Sequence, residues 1–233
     1  GEVWAPTTGV FGALPFIAGT LYSTGIGLIL GAPVALGIAL YLTQWAPNAI
    51  RRTAGLLVDL AAAVPSVVYG LWGIWVLAPA IGGLGLLTAG LILAVMVVPT
   101  IAAVARDVMA SETRGLSDSA LALGATPWEA ASLGVLRPCR AGLIAAVWLG
   151  LGRALGETIA VAMVIGNQSR FSPSVRSPGQ TLTTAIVNQL DGAGHGLYAS
   201  ALIEIGLLLF VVSALVTLVA RNYAGRVHAA GRR

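Results

Sequence analysis

Five stretches of this sequence, 15–42, 56–79, 82–105, 141–166 and 198–220, are each apolar over the roughly 20 residues that a helix needs to cross a bilayer. Lipid offers no partners to a backbone, so such runs are read as spanning helices. Composition supports this: apolar residues make up 57% of the chain and charged residues 9%, against roughly 25% charged in soluble domains. Mean hydropathy is +0.89. The expected fold is all-α, a polytopic membrane helical bundle with five spans in this chain, organised as one transmembrane domain over 1–233.

Charge fixes an expected orientation. All 13 basic residues are arginine, and the formal net charge is +4. Arg51, Arg52, Arg106, Arg114, Arg137, Arg140, Arg221, Arg226, Arg232 and Arg233 fall on one side of the spans, Arg170 and Arg176 on the other. Basic residues accumulate on the cytoplasmic face, so the 106–140 segment and the C-terminus are expected there. Gly1 then lies outside, which implies a further upstream helix and six spans in the complete protein. The arginines form no stripe with interleaved aromatics, so nucleic acid is not an expected partner; the bilayer is. The single Cys139 excludes an intrachain disulfide and a multi-cysteine metal site. His195 and His228 have no ligand spacing, and no metal site is expected.

The fourth run contains two charges, Arg153 and Glu157. Four residues apart on one helix, they would share a face. A charge at the bilayer centre costs roughly 3 kcal/mol or more, and such groups usually face a partner or a polar path. Both uses remain open from sequence: a contact with something passing through, or an ion pair locking helices together. Gly152 and Gly156 flank the pair at the small-xxx-small spacing that lets a second helix approach. Thr158 is a further polar candidate. Asp59 is within reach of Arg51 or Arg52 near the cytoplasmic end of its helix, and Glu204 lies about two turns inside the last span. Pro33, Pro65 and Pro99 fall inside spans, where they kink helices and free carbonyls. Ser66 and Tyr69 flank the Pro65 kink, where packing is the expected role.

Between the third and fourth runs, 106–140 is helical in pattern but too polar to span. Leu116, Ala120, Leu121 and Leu123 suggest a short helix ended by Gly124, a residue that accepts the left-handed conformation. Thr126-Pro127-Trp128-Glu129 restarts it with a T-x-x-E capping box and proline at the first helical position. The outer loop, 167–197, is rich in Ser, Pro, Gly and Thr, with a short surface helix expected over 182–190.

Three segments carry a family resemblance. Asp118-Ser119-Ala120, then Gly124 and Leu136, resembles the EAA loop of importer-type ABC permeases. Asp118-Ser119 stands where Glu-Ala is usual, and Arg137 occupies the usual proline position, with Pro138 next. Residues 152–167, Gly-Arg-Ala-Leu-Gly-Glu-Thr-Ile-Ala-Val-Ala-Met-Val-Ile-Gly-Asn, resemble the signature of phosphate-specific ABC permeases. Residues 64–73, Val-Pro-Ser-Val-Val-Tyr-Gly-Leu-Trp-Gly, resemble the third helix of that family, in its C-type form.

The resemblance implies a type I ABC importer permease fold and a four-part system. An external phosphate-binding protein would deliver to a heterodimer of this chain with an A-type permease subunit, and a cytoplasmic ATPase dimer would drive it. ATP and Mg would sit on that ATPase; no cofactor is expected on this chain, which has no Gly-x-x-x-x-Gly-Lys-Ser/Thr loop. By the same resemblance, Asp118, Ser119, Ala120, Gly124, Trp128 and Glu129 would engage the ATPase. Arg153, Glu157 and Thr158 would line the substrate pathway, Glu157 holding Arg153 while the pore is empty. Rival readings are a permease for another oxyanion, an ATP-independent anion channel, and a membrane enzyme acting on lipid, for which no cluster of His, Asp or Glu exists.

Overall fold

The computed structural model describes residues 1–112, 115–194 and 196–230. Arg114, His195, Arg232 and Arg233 lie outside them, as do the side chains of Arg221, Arg226 and His228. A short hairpin, β1 (Trp4–Ala5) and β2 (Val10–Phe11), opens the chain and turns at Gly9, whose φ is +71°. Helix α1 (Leu14–Gln44) follows, then α2 (Asn48–Ala63), α3 (Ser66–Trp72), a π turn (Gly73–Leu77) and α4 (Ala78–Ile81). After α5 (Leu86–Glu112) come α6 (Leu116–Ala122), α7 (Pro127–Ala131), a second π turn (Ser132–Leu136) and α8 (Arg137–Gly156). The chain continues through α9 (Ile159–Val164), α10 (Leu182–Gln189) and α11 (Leu197–Ala230).

Helix α5 is the hub, with α1, α2 and α8 packed on it, and α11 packs on α8 and α10. The α1–α5 contact is the most extensive, and glycine explains why. A Cβ added at Gly27 would meet Leu93 Cβ at 2.9 Å, and one at Gly31 would meet Val97 Cγ2 at 2.7 Å; from the other side, one at Gly90 would meet Ile26 Cβ at 2.6 Å. Backbones this close replace the hydrophobic drive that lipid cannot supply with dispersion contacts. Ala35, Ala39, Ile92, Met96, Val97 and Ile101 complete the buried seam. A second cluster joins Trp4, Phe16, Leu182, Ala185, Leu202 and Ile205.

Among the described residues, four helical bodies are long and apolar enough to cross a membrane: Leu14–Gln44, Leu86–Ser111, Pro127–Gly156 and Leu197–Ala220. The expected span over 56–79 is not one straight helix. It divides into Asn48–Ala63 and Ser66–Ile81, bent by 93°. Pro65 is the reason: it lacks an N–H, clashes with the preceding turn and holds Val64 extended, at ψ 129°. The expected span over 141–166 is corrected at both ends. Its helix begins earlier, continuous with α7, and stops at Gly156, so that α9 is a separate short helix.

Candidate translocation site and coupling arm

The break after Gly156 rearranges the charged pair that the sequence places on one face. Glu157 leaves the helix with an extended backbone, φ −71° and ψ 126°. Its Oε1 accepts from the N–H of Ala160 at 3.2 Å, capping α9, and its carbonyl accepts from Thr183 Oγ1 at 3.0 Å. Among the described residues the ion pairs are Arg106–Asp59 and Arg106–Asp107. Glu157 therefore does not hold Arg153 here, because the i, i+4 geometry needs a helix that ends one residue too early.

Arg153 instead reaches the end of α2. Its Nη1 lies 3.5 Å from the carbonyl oxygen of Ala62, one of the carbonyls left unpaired where Pro65 stops that helix. A cation at a helix C-terminus is favoured by the macrodipole, so the site compensates the charge with backbone rather than with carboxylate. The Nε atom of Arg153 is buried and has no hydrogen-bond partner among the described residues. Tyr69, on the other side of the Pro65 break, donates its hydroxyl to Ala61 O at 2.9 Å. The α2–α3 bend thus exists partly as a seat for Arg153 and Tyr69.

Arg153 also lines a cleft of about 580 Å³ between α5, α8 and α11, with Thr100, Trp148, Leu149, Gly152 and Thr217 around it. The walls are mostly apolar, and the two threonine hydroxyls bond back to Met96 O and Ser213 O in their own helices. Among the described residues lining this cleft, Arg153 supplies the only charge. Thr158 bonds locally as well, donating to Gly156 O at 3.3 Å. Gly152 and Gly156 do not seat a helix of this chain: a Cβ at either would meet nothing within 4 Å. Gly27 and Gly31, with the same spacing and not singled out from sequence, make the close approach.

The bend between α6 and α7 has its expected local chemistry. Gly124 takes φ +90°, its N–H donates to Leu121 O, and the N–H of Ala125 donates to Ala120 O. The capping box is complete: Glu129 N–H donates to Thr126 Oγ1 at 3.3 Å, and Glu129 Oε2 accepts from Thr126 N–H at 2.8 Å. Gly134 in the π turn lets α6 sit against it, since a Cβ there would meet Ser117 Cα at 3.2 Å. Asp118, Ser119, Leu121, Gly124, Trp128 and Glu129 are exposed and Ala120 is half-buried; Trp128 also stacks on Trp45 at 6.3 Å between centroids. What sequence missed is continuity. From Pro127 to Gly156 the bend and the Arg153 helix are one helical body.

Asp59 pairs with Arg106 rather than with Arg51 or Arg52. Arg106 Nη2 donates to both carboxylate oxygens, at 3.0 and 3.2 Å, and joins α2 to α5. Arg51 donates to Leu42 O and Thr43 O and closes the end of α1. Glu204 is exposed beside a small pocket lined by Trp4 and Phe11. The helix expected over 182–190 forms as Leu182–Gln189, but only its second half is at the surface: Leu182, Thr183, Thr184 and Ala185 are buried, while Val187 and Asn188 are exposed.

Solved structures share this architecture. The chain superposes on a subunit of the MetNI methionine ABC transporter in an inward-facing form, with a TM-score of 0.71 and 24% identity over 93% of this chain and 94% of that one. An amino acid ABC transporter gives a TM-score of 0.68 and 19% identity over 91% and 92%. The fold is that of a type I ABC importer permease. No family model matches the chain. The phosphate transport system permease protein PstC of Haemophilus influenzae is 39% identical over 94% of this chain and 77% of its own length. PstC of Mesorhizobium japonicum is 38% identical over 98% and 78%. With identity at that level across nearly all of its helices, the chain belongs to the family of PstC phosphate transport system permease proteins.

Proposed function

We propose that this chain is the C-type membrane subunit of an ATP-driven importer of inorganic phosphate, and that Arg153 receives the anion on its way through. Arg153 carries this reading: a guanidinium with a buried, unpartnered Nε at the edge of a cleft, held only weakly by one backbone carbonyl. A planar fork of donors suits a tetrahedral oxyanion, and incomplete satisfaction in the empty state leaves donors to offer. The Ala62 carbonyl at the end of α2 offsets the charge while engaging Nη1 alone, so other donors stay free and binding stays reversible, as transport requires.

Family membership supports the following reading of the partners. An A-type permease subunit would complete the pore, an external phosphate-binding protein would deliver, and a cytoplasmic ATPase dimer holding ATP and Mg would grip α6 and α7. The exposed Leu121, Leu123 and Trp128 supply an apolar surface for that grip. This chain contributes no ATPase chemistry. The arginine asymmetry supports a bacterial inner-membrane orientation with the C-terminus in the cytoplasm.

The test is phosphate uptake into proteoliposomes carrying the whole complex. Uptake that depends on internal or external ATP at the ATPase face, and on the binding protein, is expected. Uptake that proceeds at the same rate without ATP would establish the channel alternative instead.

A further inference from the structure

We propose that Thr183 is a positioning residue that ties the outer helix α10 to the break at Glu157, so that displacement of α10 from outside is transmitted to the translocation site. This rests on the importer reading above and adds to it the route by which an external event reaches the pathway.

Three observations converge. First, the break leaves the Glu157 carbonyl without a helical partner, and Thr183 Oγ1 fills that vacancy at 3.0 Å across 26 residues of chain. Second, Thr183 is 6% exposed and belongs to a hydroxyl network rather than to an isolated contact. Thr181 Oγ1 lies 2.8 Å from Thr183 Oγ1, and Thr181 and Thr184 form a reciprocal capping box. The N–H of Leu182 donates to Thr20 Oγ1 on α1 at 3.0 Å. Third, α10 is divided along its length: its first turn is buried against α1, α9 and α11, while Val187, Asn188 and Leu190 are exposed. One end is therefore available from outside and the other holds the backbone of Glu157.

A hydroxyl is suited to this task. A buried carbonyl must keep a partner, yet one hydrogen bond contributes only about 0.5–1.5 kcal/mol net and can be exchanged during a cycle. Glu157 also caps α9 through its side chain. A pull on its carbonyl would therefore move the junction between the Arg153 helix and α9 as a unit.

The experiment measures ATP hydrolysis by the complete complex in proteoliposomes, basal and in the presence of phosphate-loaded binding protein, for Thr183→Val and Thr183→Ser. Valine preserves shape and removes the donor; serine preserves the donor. Assembly is followed by size-exclusion chromatography. Thr183→Val should keep basal hydrolysis and lose about fivefold or more of the stimulation, the lower edge of coupling between linked sites. Thr183→Ser should restore it. Unchanged stimulation in the valine variant overturns the proposal, as does a serine variant as defective as valine. Should the valine variant not assemble, Thr183→Ala, which also lacks the donor, is read by the same criteria. Failure of the wild-type complex to respond to phosphate-loaded binding protein would count against the importer reading itself, a separate outcome.

Discussion

Arg153 lies about 24 Å along α8 from Arg137, a distance that follows from 1.5 Å of rise per residue. At such a depth a permanent charge is kept only where protein or water answers it. Here the answer is the frayed end of α2, and Glu157 is occupied elsewhere as the acceptor for Ala160 N–H. A prediction separates these roles. Glu157→Gln retains a carbonyl oxygen for the α9 cap, so its melting temperature in detergent should match wild type. Glu157→Ala removes the acceptor and should lose about 1 kcal/mol, the typical value of a cap. Equal losses in both variants would show that the negative charge, not the acceptor, holds this region.

The element scale separates what sequence discloses from what it hides. The Gly124 bend and the Thr126–Glu129 box were legible because their causes lie within a few residues. The Pro65 break was legible in kind but not in size, since a proline predicts a kink and 93° depends on what the freed carbonyls find. The break at Glu157 was not legible: Gly156 weakens a helix but is tolerated inside spans, as Gly152 is, and the hydrogen bond that satisfies the Glu157 carbonyl comes from Thr183 in α10, 26 residues on. Glycine spacing was ambiguous for a related reason. Gly27–Gly31 and Gly152–Gly156 are the same local pattern, and only the neighbouring helix decides which is used. Gly31→Val should therefore drive atoms into Val97 and Ala94 O and cost about 1–3 kcal/mol. Gly152→Ala, facing open space within this chain, should be neutral or slightly stabilising. Thermal unfolding of the two variants checks the contrast, and equal destabilisation would place Gly152 in a packed contact.

Across the whole molecule, α7, the arm that follows the Gly124 bend, and the Arg153 site share one helical body of 30 residues from Pro127 to Gly156, about 45 Å long. A displacement applied at Trp128 or Glu129 is carried along that body rather than through a loop. The π turn at Ser132–Leu136 is the point where α6 seats on it through Gly134. Arg106 and Asp59 join α5 to α2, whose far end holds Arg153, so the opposite side of the site is anchored as well. On the proposed reading, displacements of α7 and of α10 would meet at one junction, residues 153–160. The account depends on the guanidinium at that junction contacting phosphate through its fork of donors. Its most direct test is ATP-driven phosphate uptake by the reconstituted complex carrying Arg153→Lys, with assembly and basal ATP hydrolysis measured alongside. Uptake should fall at least tenfold while assembly and hydrolysis persist, because lysine keeps the charge but not the planar fork. Uptake at wild-type rates with lysine in place would contradict it.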